Sequence, residues 1–146
     1  MNPEDLLRSR IHRILLPMAN FQSISNVDSP IHGDLQALRQ GETLLGIYSN
    51  TPKKLEESVW ITTRGLYVFR GDQRDVVDYS DMMDVRVPDM PNDQKLLVDT
   101  LLVSTHTVEV TVPIKGGEGR FKDVWQFLRF LLRVRDDFQG HQPKSE

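Results

Sequence analysis

Between Gly41 and Phe138 the hydrophobic period of the chain changes once. Several short runs of β-branched and aromatic residues repeat at a period near two, and a single long apolar segment at helical spacing follows them. Short strands divided by turn residues, with one late helix, give a small curved sheet or barrel closed by a C-terminal helix. That architecture more often holds something than carries out a reaction, and nothing in its pattern names a substrate.

The spacing predicts strands over residues 42–49, 58–63, 66–70, 75–79, 82–87, 96–104 and 108–114, seven in hairpin order. Gly65 and Gly71 mark tight turns between them. Pro88 and Pro91, which lack amide hydrogens, make 88–93 a loop. The clearest one-sided strand is the last, where Val108, Val110, Val112 and Ile114 alternate with Glu109, Thr111 and Pro113. One core is expected to take in Trp60, Leu66, Val68, Val108, Val110, Val112 and Leu128.

The chain opens with Asn2 as an N-cap, Pro3 at the first helical position, and Glu4 and Asp5 where the helix dipole favours negative charge. Leu7, Ile11, Ile14, Leu15 and Met18 then share one face, with Arg8, His12 and Arg13 outside it, and Pro17 ends the helix. Residues 20–30 read as a polar connector and 34–40 as a short helix. At the other end, the apolar positions of 121–138 cover more than half the circumference, so that helix is expected to touch two partners. One is the sheet; the other is either the N-terminal helix or a second subunit. The organisation is thus a helical extension over 1–40, a β domain with its closing helix over 41–138, and a disordered tail over 139–146.

A chain of 146 residues has room for one real core. It has no cysteine, which excludes disulfides, thiolate metal sites and cysteine nucleophiles and fits a reducing compartment. Its net charge of −3 leaves little positive surface for a nucleic-acid backbone, so no nucleic-acid partner is expected. The first residues lack the basic and apolar pattern of a secretory signal, and no run is long enough to span a bilayer. The expected location is cytoplasmic.

The run Ile61-Thr62-Thr63-Arg64-Gly65-Leu66-Tyr67-Val68-Phe69 resembles the second and third strands of bacterial pleckstrin-homology-like (PH-like) domains. Val77-Asp78-Tyr79-Ser80-Asp81-Met82-Met83-Asp84-Val85 is similar to the next hairpin of that family. Gly41-Glu42, the valine strand and the closing helix fall in the same order. The resemblance covers about two-thirds of the chain and rests on the order of weak motifs. It implies a mainly β fold, a seven-stranded antiparallel PH-like barrel capped by the C-terminal helix. Another small barrel, or an α+β sandwich, has the same strand order.

Phosphoinositide-binding members of the wider superfamily grip phosphates with basic residues in and after the first hairpin loop. By that resemblance the ligand-facing candidates are Lys53, Lys54 and Arg64. Glu56 and Glu57 follow the lysines at once and oppose their potential, which argues against specific phosphoinositide binding. Residues 115–120, with three glycines, lack the Lys-Ser/Thr ending of a phosphate loop and read as a joint into the helix. His12, His32, His106 and His141 are scattered without metal-ligand spacing. Ser58, Ser80 and Ser104 sit in no nucleophile motif. Asp78, Asp81, Asp84 and Asp89 read as a solvated face. The expectation is a non-catalytic module without cofactor, metal or catalytic residues, binding a protein partner or its own copy. The alternative is a lipid or small-ligand binder that uses the barrel mouth.

Overall fold

A computed structural model describes residues 2–23, 41–51, 54–71, 73–89, 91, 98–117 and 123–140. Its first helix, α1 (Pro3–Arg10), starts as its sequence dictates: the Asn2 side chain accepts from the Asp5 amide at 2.9 Å. The helix then widens into one π-helical turn, Ile11–Leu15, in which the Leu16 amide donates to the Ile11 carbonyl at 2.9 Å. Leu7, Ile11, Ile14, Leu15 and Met18 are all buried, while Arg8, His12 and Arg13 face solvent.

Five strands follow as one antiparallel sheet in sequential order: β1 (Phe21–Ser23), β2 (Leu44–Thr51), β3 (Lys54–Thr62), β4 (Gly65–Arg70) and β5 (Gln73–Asp78). A single 3-10 turn, Tyr79–Asp81, carries the chain to a second antiparallel sheet of β6 (Asp84–Arg86), β7 (Thr100–Ser104) and β8 (Glu109–Pro113). The last element is α2 (Asp123–Gly140). It ends two residues beyond the expected boundary; the rest of the expected tail, like the short helix expected over 34–40, lies outside the described residues.

The expectation of a seven-stranded closed barrel is corrected. Among the described residues eight strands form two sheets, and no strand pairing joins one sheet to the other. The additional strand, β1, falls in the stretch read as a polar connector. Its signal was Gly46: a Cβ there would sit 2.2 Å from the Phe21 ring, so the glycine exists to let Phe21 lie across β2. Asn50 ties the sheets at one corner, donating to the Pro113 carbonyl and accepting from the Lys115 amide, both at 2.7 Å.

The main core lies between the two sheets and α2, with α1 packed on α2 and closing one side. From the expected core list, Leu66, Val68, Val110 and Val112 belong to it. Three members are corrected. Val108 is 56% exposed, because the turn closed by Thr105 ends at Val108 and the strand begins one residue later. Leu128 is half-buried on the flank of α2. Trp60 is buried, but in a separate cluster with Leu44, Ile47 and Tyr67 on the opposite face of the five-stranded sheet.

Candidate functional site

The wide apolar arc of α2 has two partners within one chain. Val124, Phe127, Phe130, Leu131 and Val134 are fully buried, and Phe127 meets Tyr48 and Phe130 edge to face with ring centroids 5.7 and 5.8 Å apart. Near its C-terminus, Phe138 lies 5.0 Å from the Tyr79 ring, and Gln139 donates to the Met82 carbonyl at 2.8 Å. From α1, Arg10 grips Asp137 through two nitrogens at 3.2 and 3.4 Å, with both side chains largely shielded from water. The N-terminal helix therefore covers in cis much of the surface that could have called for a second subunit.

A narrower stripe stays outside. Trp125, Leu128 and Leu132 are half-buried, resting on the core by one edge and open to solvent by the other. With Arg129, Arg133 and Asp136 they line a shallow groove of about 420 Å³ along α2. Arg129 and Arg133 are exposed, with no hydrogen-bond or ion-pair partner among the described residues. Asp136 is taken by Arg135 at 3.2 Å, and Arg135 also donates to the Met83 carbonyl. Most other basic side chains of the described surface are paired: Arg8 with Glu4, Arg70 with Asp75, Arg86 with Asp84 and Glu109, and Lys115 with Glu57.

The start of α2 is fixed by a buried polar cluster. The Tyr48 hydroxyl donates to Asp123 Oδ2 at 2.7 Å and accepts from the Gly116 amide at 2.8 Å, and the Asp123 amide donates to the Gly116 carbonyl. Burial first, then the hydrogen bond to the Asp123 carboxylate, push the Tyr48 phenol well above its ordinary range, so it stays a donor. A Cβ on Gly116 would lie 2.5 Å from both Tyr48 Oη and Asp123 Oδ2. The Gly116 amide is thus occupied within the fold, and this end of the glycine stretch works as the joint its sequence suggests, anchoring the helix.

The basic candidates are not brought together among the described residues. Arg64 is exposed in the β3–β4 turn, at the opposite end of β3 from Lys54, about 30 Å away along a strand of this length. Lys53 and the Lys54 side chain lie outside the described residues. Glu57, one of the acids expected to offset them, is engaged by Lys115 at 2.8 Å. His12 and His106 are exposed and far apart in the chain, and the described residues contain no cluster of His, Asp and Glu suited to a metal ion. No described helix is long and apolar enough to cross a membrane. A second concavity, of about 440 Å³, lies between α1 and the start of β2, with Ile11, Leu16, Leu44 and Leu45 on its walls and Arg8 and His12 at its rim.

The α2 groove was only half legible. The sequence marks the arc as too wide for one surface, but which part stays open depends on where α1 lands. No family model matches the chain, and no curated protein does. Among solved structures it is similar to a DUF1696 family protein with a pleckstrin-homology domain from Shewanella loihica, at 15% identity and a TM-score of 0.49 over 80% of this chain and 97% of that one. At that identity and overlap the likeness says nothing of ligand or partner.

Proposed function

We propose that the chain is a non-catalytic interaction module on a PH-like scaffold, which uses the outer face of α2 to hold a protein partner or a second copy. The observation that supports this reading is the stripe itself. After the sheets and α1 have taken their share of the helix, Trp125, Leu128 and Leu132 remain half-open in a continuous row beside Arg129 and Arg133. Large apolar surfaces rimmed by polar side chains are characteristic of docking sites, and this half-buried row has that layout on a smaller scale. A photo-crosslinking residue at position 128 tests it in the protein's own cells. A discrete protein adduct from 128, absent from a control at Arg74 on the far sheet, is the expected result. A monomeric mass by light scattering together with no adduct overturns the reading.

The concavity between α1 and β2 supports a second reading, a site for a small anionic amphiphile, since its walls are apolar and Arg8 and His12 stand at its edge. Thermal stabilisation by a medium-chain fatty acid, abolished by Arg8→Ala with His12→Ala, would favour that reading over the first.

A further inference from the structure

Resting on the reading of α2 as a docking face, we infer that its occupant is an acidic amphipathic helix of another protein. The groove is built from two adjacent columns on one helix. Trp125, Arg129 and Arg133 follow each other at four-residue intervals, and Leu128, Leu132 and Asp136 do the same three residues later. The columns run for three turns, about 16 Å from Trp125 to Asp136. A helix laid alongside has the same repeat, so apolar residues at i, i+3 or i+4, and i+7 meet Trp125, Leu128 and Leu132 in register.

Charge decides what else the partner carries. Arg129 and Arg133 stand one turn apart without a carboxylate partner among the described residues, and two acids one turn apart on the incoming helix match both guanidinium forks at once. The sign changes along the groove, since Asp136 closes its C-terminal end. The partner therefore needs its acids over the middle of α2 and none at that end.

Two other occupants fit less well. A membrane would require the apolar side chains to enter the acyl boundary, but all three are packed on the core, and a chain of net charge −3 with Asp136 in the same face is repelled by an anionic surface. A second copy, paired by a two-fold axis across this face, brings only one already engaged carboxylate per chain to two guanidinium groups.

The test uses the full chain and a synthetic helix of about 18 residues, with Leu at the apolar spacing and Glu pairs four residues apart, beside the same peptide with Lys for Glu. Calorimetry is expected to show micromolar binding of the Glu peptide only. The Arg129→Glu, Arg133→Glu protein should bind it roughly a hundredfold more weakly and bind the Lys peptide instead. Both arginines are exposed, so an unchanged thermal midpoint serves as the folding control. Equal affinity for the two peptides, or none for either, overturns the inference. If the crosslink from position 128 persists in that case, the docking face stands and only the partner's chemistry is wrong; if it is also lost, both readings fall. Pelleting with phosphatidylglycerol vesicles that charge reversal removes, or a dimer mass dissolved by Leu132→Glu, would overturn it in favour of a membrane or a second copy.

Discussion

The outer faces of the two sheets are built on opposite terms. On the five-stranded sheet the outer face carries an apolar cluster of Leu44, Ile47, Trp60 and Tyr67, none more than 5% exposed, with Phe69 packed beside them and its ring 4.7 Å from the Trp60 indole; only toward β5, at Arg74 and Val76, does this face open to solvent. On the three-stranded sheet the outer face carries Asp84, Arg86, Ser104, Glu109 and Thr111 around a half-buried Leu102, tied by Arg86 to Glu109 at 2.6 Å, to Asp84 at 3.2 Å and to Ser104 at 3.1 Å. Both sheets turn valines inward. One therefore carries a second apolar cluster on the outer face of its central strands, the other is a wall with water behind it, and their energetics should differ accordingly.

The largest test of that contrast is Trp60→Ala. Emptying a buried indole site should cost about 3–5 kcal/mol, read from the urea midpoint. Trp60→Phe is expected to cost much less, because Trp60 Nε1 has no hydrogen-bond partner among the described residues and phenylalanine removes that buried donor. If the alanine variant keeps the native midpoint, the outer face of the five-stranded sheet is not a second core.

Next in size is the inner face of the same sheet. Tyr48→Phe leaves the Gly116 amide and one Asp123 oxygen short of a partner, and should lower stability by about 1–3 kcal/mol. The same phenol has a pH signature. Its folded pKa is raised above the unfolded 10.0, so the folded state binds more protons at high pH. Stability is then fully present below pH 10 and falls as the pH rises beyond it, and Tyr48→Phe should flatten that alkaline fall. Tyr79, fully buried and raised by desolvation, then by the charge of Glu42, adds to the slope and remains in the variant.

The smallest expected effect is on the other wall. Arg86→Ala removes three exposed contacts, and the melting midpoint should not move measurably in dilute buffer or in molar salt. A clear loss would mean that the polar face is structural after all, and the contrast between the sheets would collapse.

The same contrast explains what could be read in the sequence. The valine strand shows its buried side over Val110, Val112 and Ile114, because β8 has one wet face and so alternates, but the same alternation carries the strand one residue too far back, to the exposed Val108. Val59-Trp60-Ile61 and Leu66-Tyr67-Val68 are buried on both faces, so their strands are legible but the side each residue takes is not. Trp60 therefore falls on the wrong side from sequence alone, and β1, with only Phe21 of its three residues buried, has no period to read beyond the approach that Gly46 marks. The joint at Gly116 was visible, whereas Asp123 and Tyr48, 75 residues apart, carry no local sign that they meet. In the α2 groove the apolar width was legible; the open strip depended on the docking of α1, a contact between opposite ends of the chain.

The π-helical turn at Ile11–Leu15 also bears on how this chain can change length. A turn closed from the fifth residue holds one residue more than the α-helix around it. His12 and Arg13, on its solvent side, take part in neither the core nor the ion pair to α2. Deleting one of them should let the ladder re-form as ordinary α-helix, with Ile14, Leu15 and Met18 keeping their bearing on the core and Pro17 still ending the segment. The same deletion in the middle of α2 would turn every following side chain by about 100° and break the packing. In a family of related chains, single-residue gaps should therefore be tolerated at 12–13 and absent from 124–138.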